Sequence, residues 1–322
     1  MNQVIHHKGE VPIEASGQRF DQVVAQLFPD FSRARLQIWI KEGKITLQGA
    51  QVKPKSKVLG GELVELQAEL ESQGEWLAEP IPLNIVFEDD SLLVINKPAG
   101  LVVHPAPGNY QGTLLNGLLH YLPSQSQIPR AGIVHRLDKD TTGLMVVAKT
   151  LQAQTQLVEQ LQARSVSRGY VALVLGECHG QGTVNEPIGR DPKNRKKMAT
   201  HNSESGTAKE AITHYSLIES LNPFSLLQLK LETGRTHQIR VHMAALGFPL
   251  VGDPLYGRKL PKNLERSLRS PEPVLGFDRQ ALHAQTLSLV HPNSKVTCSW
   301  EAEIPADMQA LIQAAKEGVS EG

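Results

Sequence analysis

The chain has 322 residues, of which 40% are hydrophobic and 20% are charged, and its 33 lysines and arginines balance 33 aspartates and glutamates. This composition indicates a globular protein and argues against a disordered or fibrous chain, and the length allows about two domains. Its two cysteines, Cys178 and Cys298, are too few for a disulfide framework or a four-ligand zinc site.

The first 17 residues contain no hydrophobic core of a signal peptide. No later segment reaches the roughly 20 apolar residues that are needed to span a bilayer. We therefore expect a cytoplasmic protein without a membrane partner, and the scarcity of cysteine fits a reducing compartment.

Residues 18–61 carry eight basic residues against three acidic ones, whereas residues 62–90 contain nine acidic residues and no basic one. Phe20 to Phe28 shows apolar residues at helical spacing and predicts an amphipathic helix. A second helix is predicted to be capped by Ser32 and to end at Gly43, and short strands should follow at residues 44–49 and 60–66. These elements predict a small N-terminal α/β domain.

The basic residues of this domain lie at both ends of the second helix and between the two strands, so folding would gather them on one surface. They form either the solvated face of a small domain or a set of contacts to phosphate groups. The candidates are Arg33, Arg35, Lys41, Lys44, Lys53, Lys55 and Lys57.

An acidic stretch with Gly74 and two prolines follows, and we assign residues 71–82 as a linker between a domain of residues 1–70 and one of residues 83–322. Beyond it, short apolar runs predict strands near residues 84–89, 91–98, 131–135, 143–149, 169–177, 211–219, 225–232 and 286–292. Helices are predicted near residues 112–122, 151–164, 236–247 and 305–316. Strands outnumber helices, so the fold class is α+β, with a mixed, mostly antiparallel sheet and flanking helices.

Residues 135–142, HRLDKDTT, form a charged loop between two of these strands. Loops that are held by rigid strands often present catalytic or binding side chains, although an ordinary polar turn has a similar composition. A metal site built from His135, Asp138 and Asp140 is an alternative, but the spacing matches no standard metal-binding motif. Two other segments are rich in candidate residues, with Tyr170 in residues 165–177 and Arg235, His237, Arg240 and His242 in residues 231–257.

Several enzyme classes are excluded by their motifs. The chain has no phosphate-binding Walker loop and no dinucleotide-binding glycine pattern. Its HRLDKD segment lacks the downstream asparagine and the companion motifs of a protein kinase, and no serine or cysteine has the neighbours of a hydrolytic nucleophile.

Five segments together resemble the family of ribosomal large subunit pseudouridine synthases of the A and D type. The resemblance covers residues 81–304 and depends on HRLD and TTGL at residues 135–138 and 141–144, NKPAGLVVHP at 96–105, GRTHQIRVH at 234–242 and GDPLYG at 252–257. In addition, residues 19–62 are similar to the small RNA-binding domain of ribosomal protein S-four.

The resemblance implies an isomerase that detaches uracil from C1′ of a uridine in RNA, rotates it and rejoins it through C5, without a metal or cofactor. Asp138 matches the family's essential aspartate, as a nucleophile at C1′ or as a base at a sugar proton. Arg240 matches an arginine that should hold this carboxylate by paired hydrogen bonds. Tyr170 matches a tyrosine that stacks on the uracil and is a candidate proton acceptor, and Arg136 matches the residue that replaces the extruded nucleotide.

Three further motif residues, His135, Arg235 and His237, are expected to bind substrate by positioning the loop or the RNA, whereas Asp140 is assigned to loop structure. The basic segment at residues 189–197 is either a surface hairpin or a clamp on the RNA backbone. The expected partner of this monomer is 23S rRNA or a large-subunit particle, with targets in the stem-loop near the decoding centre. The competing hypotheses are a non-catalytic ribosome assembly factor and a metal-dependent hydrolase.

Overall fold

The computed structural model describes residues 3–29, 31, 33–70, 76–106, 109–194, 196–201 and 208–318. Its N-terminal elements are β1 (Gln3–Glu10), α1 (Phe20–Leu27), α2 (Arg33–Lys41), β2 (Ile45–Leu47) and β3 (Leu63–Leu70). The strands form an antiparallel sheet in the order β1-β3-β2.

Both predicted N-terminal helices and both predicted strands are present, and β1 is an addition to the prediction. The apolar face of α1 is fully buried at Phe20, Val23 and Val24, because the helical spacing directs these side chains to the core between the helices and the sheet. Gly43 follows α2 with a left-handed φ of 74°, as a helix-terminating glycine should. The predicted cap, Ser32, lies outside the described residues.

The predicted linker falls partly outside the described residues, at 71–75, and the remainder packs on the helix Leu114–Tyr121. The Trp76 ring lies edge-on to His104, with 5.8 Å between ring centroids. The Asn116 amide donates a 2.8 Å hydrogen bond to the carbonyl of Leu77, and the Gly112 amide donates one of 3.0 Å to Glu79. The domain limits at residues 70 and 83 stay predictions.

A nine-stranded sheet organises the rest of the described chain. Its strands and a separate hairpin are β4 (Ile85–Glu88), β5 (Leu92–Lys97), β6 (Thr142–Ala148), β7 (Ser167–Leu175), β8 (Gln181–Asn185), β9 (Ile188–Arg190), β10 (Met198–Thr200), β11 (Ile212–Leu221), β12 (Phe224–Leu231), β13 (Leu282–Val290) and β14 (Thr297–Glu301). The helices are α3 (Leu114–Tyr121), α4 (Leu151–Gln162), α5 (Gln238–Ala245), α6 (Lys262–Ser267), α7 (Pro271–Leu275) and α8 (Ala306–Glu317).

The sheet order is β4-β5-β6-β13-β7-β12-β11-β8, with β14 paired to β13 and with β9 and β10 as their own hairpin. Within the described residues every strand pair is antiparallel except β6 with β13. The mixed, mostly antiparallel α+β fold is therefore confirmed. Among these residues, no helix is both long and apolar enough to cross a membrane.

The strand predicted at residues 131–135 is wrong. Arg130, Ala131 and Gly132 have consecutive left-handed φ angles of 54°, 50° and 76°, which turn the chain instead of extending it. Gly132 is required there, because a Cβ would lie 1.9 Å from the Ala148 carbonyl oxygen. The apolar Ile133 makes one isolated bridge to Val147.

The main core lies between the sheet and helices α3 and α5. It contains Leu137 and Tyr170, which are 4% and 5% exposed. Burial of Leu137 fixes the chain beside Asp138, so the charged loop starts from a packed side chain.

Candidate active site

The loop before β6 is fixed by hydrogen bonds from distant segments. Every residue from Asp138 to Thr142 has such a contact. The partners are Arg240 for the Asp138 carboxylate, Lys97 for the Lys139 carbonyl, Arg279 for the Asp140 carbonyl, Gln280 for the Thr141 hydroxyl and His283 for the Thr142 hydroxyl. A loop held in this way is preorganised for presenting a side chain.

Lys97 is a charged member of this set and is 1% exposed, at the end of β5. Its Nζ donates to the carbonyl oxygens of Pro98, Leu101 and Lys139 at 2.7, 3.0 and 2.8 Å. Burial lowers the pKa of Lys97 to about 7, against the attraction of Asp140 and Asp138.

Asp138 and Arg240 are in direct contact, as the sequence predicted. Arg240 Nη1 donates a 3.0 Å hydrogen bond to Asp138 Oδ2, and the Asp138 side chain is 17% exposed. The expected paired hydrogen bonds, however, go to another residue. Arg240 donates from Nε and Nη2 to Asp253 Oδ2 and Oδ1 at 2.7 and 2.9 Å, so the two-donor edge of the guanidinium is already used.

Asp253 is fully buried and also accepts hydrogen bonds from the backbone amides of Leu255 and Tyr256. Burial alone would raise the pKa of Asp253, but the hydrogen bonds and charge of Arg240 hold that pKa below its usual value. For Arg240, burial would lower the pKa, and the contacts with Asp253 and Asp138 raise it instead. The arginine therefore remains charged between two carboxylates.

His237 and Tyr256 complete the arginine's surroundings. His237 Nε2 lies 4.0 Å from Asp138 Oδ1, and His237 Nδ1 lies 2.8 Å from the Tyr256 hydroxyl. The Arg240 guanidinium packs on the Tyr256 ring, 5.1 Å from its centroid. Burial lowers the pKa of His237, which favours a neutral ring.

Six of the seven predicted catalytic and substrate-binding residues line one pocket, which has a volume of about 50 Å³: Arg136, Asp138, Tyr170, Arg235, His237 and Arg240. Tyr170 lies on β7, and burial raises its pKa, so its hydroxyl stays protonated. Arg136 is exposed at the mouth.

His135 lies outside this pocket. Its Nε2 accepts a 3.1 Å hydrogen bond from the Val146 amide, and burial lowers its pKa to about 3, with the positive charge of Arg168 as a second cause. A neutral ring with that nitrogen occupied does not fit the hypothetical metal site with Asp138 and Asp140. No group of three or more possible metal-ligating side chains occurs within the described residues.

Comparisons with known proteins show the family of this chain. The chain is 53% identical to ribosomal large subunit pseudouridine synthase D of Pseudomonas aeruginosa over 97% of this chain and 96% of the relative. This chain belongs to the RNA pseudouridylate synthase family. The family model, described as RNA pseudouridylate synthase, matches residues 91–245, and an S4 domain model matches residues 18–64.

A second relative and a solved structure are also similar to this pseudouridine synthase. The protein of the same name from Escherichia coli K12 is 52% identical, over 92% of this chain and 90% of the relative. The structure of human RNA pseudouridylate synthase domain containing 4 aligns with a TM-score of 0.59 and 27% identity, over 74% of this chain and 94% of that one. The α+β fold and the N-terminal RNA-binding domain expected from the sequence are thus confirmed.

The S4 domain of the synthase contains a buried carboxylate, Asp21, among basic side chains. Asp21 accepts two hydrogen bonds of 2.9 Å from Arg19, one of 3.1 Å from Arg33 and one of 2.7 Å from Gln37. Arg33 therefore has part of its charge balanced within the domain.

The other predicted RNA-binding residues of the S4 domain differ in their surroundings. Arg35 packs over the Trp39 ring, 5.2 Å from the centroid, and Lys44 pairs with Glu42 at 2.9 Å. Four lysines have exposed side chains: Lys41, Lys53, Lys55 and Lys57.

Sequence reasoning assigned no role to Lys97, Asp253 or Tyr256, although all three lie in the quoted motifs NKPAGLVVHP and GDPLYG. Sequence reasoning also assigned no role to Arg168, a 7% exposed residue of β7 that lines the pocket of Asp138 and Arg240. A charged residue inside an apolar strand was the available signal. His242 is buried and contacts Thr213 Oγ1 and the Glu186 carbonyl, as a structural histidine does.

Proposed function

We propose that this pseudouridine synthase isomerises uridines of 23S rRNA, with Asp138 as the essential carboxylate and with several targets in the stem-loop near the decoding centre. The relatives named ribosomal large subunit pseudouridine synthase D support the RNA class, since they align over nearly the whole chain. Such a substrate would be met in the bacterial cytoplasm.

The observation that carries the proposal is that the two carboxylate oxygens of Asp138 have different contacts. Oδ2 accepts the hydrogen bond from Arg240, whereas Oδ1 has no hydrogen bond with any described residue and lies 4.0 Å from His237. The arginine therefore holds the carboxylate by Oδ2 and leaves Oδ1, the oxygen that could react, without a hydrogen bond from the described residues.

An oxygen of this kind has two uses at a ribose. It can attack C1′ while the C1′–N1 bond breaks and uracil leaves, or it can accept a sugar proton. Both routes require the uridine to leave its base stack and enter the pocket. Arg136, exposed at the pocket mouth, is suited to replacing the base in the RNA, and Tyr170 is suited to stacking on the uracil.

RNA affinity in this proposal comes from phosphate contacts outside the pocket. The exposed lysines of the S4 domain can neutralise phosphates, which provides affinity without sequence information. In the 189–197 segment, Lys193 and Lys196 are exposed, while Arg195 lies outside the described residues. Arg235 and His237 border the pocket and would orient the strand that enters it.

The proposal is tested with purified protein and 23S rRNA that is labelled with tritium at C5 of uridine, supplied both as a free transcript and within large-subunit particles. We expect tritium release from one of the two, with pseudouridine mapping to a few uridines. Activity should persist with a chelator. If both substrates are bound but release no tritium, the protein is a non-catalytic assembly factor and the proposal fails.

A further inference from the structure

A basic groove adjoins the catalytic pocket. It lies between α4, the segment that leads into the charged loop and the turn after β12, with a volume of about 690 Å³. Its charged lining comprises one acid, Glu232, and five arginines: Arg130, Arg136, Arg164, Arg168 and Arg235. Arg136, Arg168 and Arg235 also line the catalytic pocket, so the two cavities are direct neighbours.

The single acid of the groove does not balance this charge. Glu232 pairs with Arg164 at 3.1 Å and with His214 at 2.8 Å, and Arg164 also pairs with Glu210. Among the described residues, the three arginines shared by both cavities form no ion pair. Three arginines without an ion-pair partner among the described residues therefore line the boundary between groove and pocket.

Arg168 is the unusual member of the three, because it is 7% exposed. Its Nη2 donates a 3.1 Å hydrogen bond to the Glu232 carbonyl, and its buried Nε has no hydrogen-bond partner in the described part of the chain. Burial of a guanidinium without a carboxylate partner destabilises the folded protein. An arginine in this position therefore indicates a binding site for an anionic ligand. Phosphate matches the planar array of donors that a guanidinium presents.

We propose that Arg168 binds a backbone phosphate of the RNA strand where that strand leaves the catalytic pocket, and that the basic groove holds the adjoining nucleotide. The assignment rests on the proposed function in so far as the ligand is RNA. Arg168 and Tyr170 are two residues apart on β7, so their side chains point to the same face of the strand, and both line the catalytic pocket. In this proposal β7 therefore supplies both a phosphate contact and the ring that stacks on uracil.

Gly234 offers a way to move Arg168 without changing any charge. A Cβ at position 234 would lie 2.9 Å from Arg168 Nη1, too close for contact, and no other atom is near. Its φ is not in the left-handed region, so alanine is compatible with the backbone. Gly234→Ala should therefore displace the end of the arginine and leave the fold intact.

The test measures equilibrium binding of full-length protein to a 23S rRNA transcript over a range of salt concentrations, with tritium release measured in parallel. Arg168→Gln should weaken binding roughly tenfold and lower the slope of log affinity against log salt by about one. Arg168→Lys should restore that slope. In steady-state turnover, Arg168→Gln should raise KM with little change in kcat. This is expected for an interaction that is equally strong before and during the reaction.

Gly234→Ala should also weaken binding, and Arg266→Gln, which removes an exposed arginine of α6, should leave affinity and slope unchanged. The proposal is overturned if Arg168→Gln keeps the wild-type slope, or if the Gln and Lys variants lose affinity and thermal stability equally. Absence of tritium release from wild-type protein would reject the proposed function, whereas the binding comparison would still decide the role of Arg168.

Discussion

Arg240 donates two hydrogen bonds to Asp253, of 2.7 and 2.9 Å, and the Asp253 side chain is fully buried. The other terminal nitrogen of this guanidinium, Nη1, donates to Asp138. The direction of the proposed catalytic carboxylate thus depends on an acid that does not line the pocket.

Asp253→Asn should lower kcat by about tenfold to a hundredfold, because a misaligned Arg240 no longer orients Asp138. Breaking a buried ion pair should also cost about 3 kcal/mol of the free energy of unfolding. Single-turnover kinetics and denaturant unfolding measure the two effects. Asp278→Asn, at an exposed position, is the matched control. Wild-type kcat in Asp253→Asn would show that Asp253 does not position the site.

Lys97→Met should destabilise the fold by about 3 kcal/mol, because three backbone carbonyl oxygens lose the donor that Lys97 supplies. One of them belongs to Lys139, next to Asp138, so kcat should fall as well. Unfolding curves and tritium release report the two losses. Lys262→Met, on exposed α6, should match the wild type in both. A stable but inactive Lys97→Met would point to direct contact with RNA instead.

The sequence was informative where the functional residues lie in contiguous motifs, and the structure adds what depends on tertiary contacts. Arg240 and Asp253 are 13 residues apart and meet only because the chain turns back after α5. Paired hydrogen bonds were predicted for the correct arginine but the wrong carboxylate, since sequence does not show which edge of a guanidinium is occupied.

The local sequence pattern also gave a wrong prediction for residues 131–135 and no prediction for β1. Ile133 and Val134 have the β-branched character of a strand, but the preceding left-handed residues prevent extension. Strand β1, QVIHHKGE, lacks apolar alternation and is defined by its register with β3, from Gln3 opposite Leu70 to Glu10 opposite Leu63. Such pairing between distant segments outweighs local propensity.

Tyr170→Phe should separate the ring of this residue from its hydroxyl. The ring should preserve substrate binding and KM, while kcat should fall about a hundredfold if the hydroxyl takes part in proton transfer, as we expect. Steady-state tritium release gives both constants, and Tyr170→Leu, which lacks the ring, should also raise KM. An unchanged kcat in Tyr170→Phe would restrict Tyr170 to stacking.

Asp21 should make the S4 domain sensitive to acid. Burial would raise its pKa, but hydrogen bonds from Arg19, Gln37 and Arg33 lower it from 3.8 to about 2. The carboxylate therefore stabilises the fold fully above the unfolded pKa, by about 2 kcal/mol, and this is lost as the pH falls towards 2. The advantage of wild type over Asp21→Asn in unfolding free energy should shrink from about pH 4 downward.

The matched control for this pH dependence is Glu14→Gln, at an exposed position of the same domain. Its unfolding free energy should follow the wild-type curve throughout. A difference between wild type and Asp21→Asn that stayed constant with pH would mean that Asp21 is not held ionised by its arginines.

If the Asp138 carboxylate performs the isomerisation, replacing it with an amide should abolish modification. Pseudouridine is mapped in 23S rRNA from cells whose only copy of this synthase carries Asp138→Asn, with Asp140→Asn, two residues away in the same loop, as the control. We expect no pseudouridine at the enzyme's sites with Asp138→Asn and normal modification with Asp140→Asn. Wild-type modification by the Asp138→Asn enzyme would show that Asp138 is not the essential carboxylate.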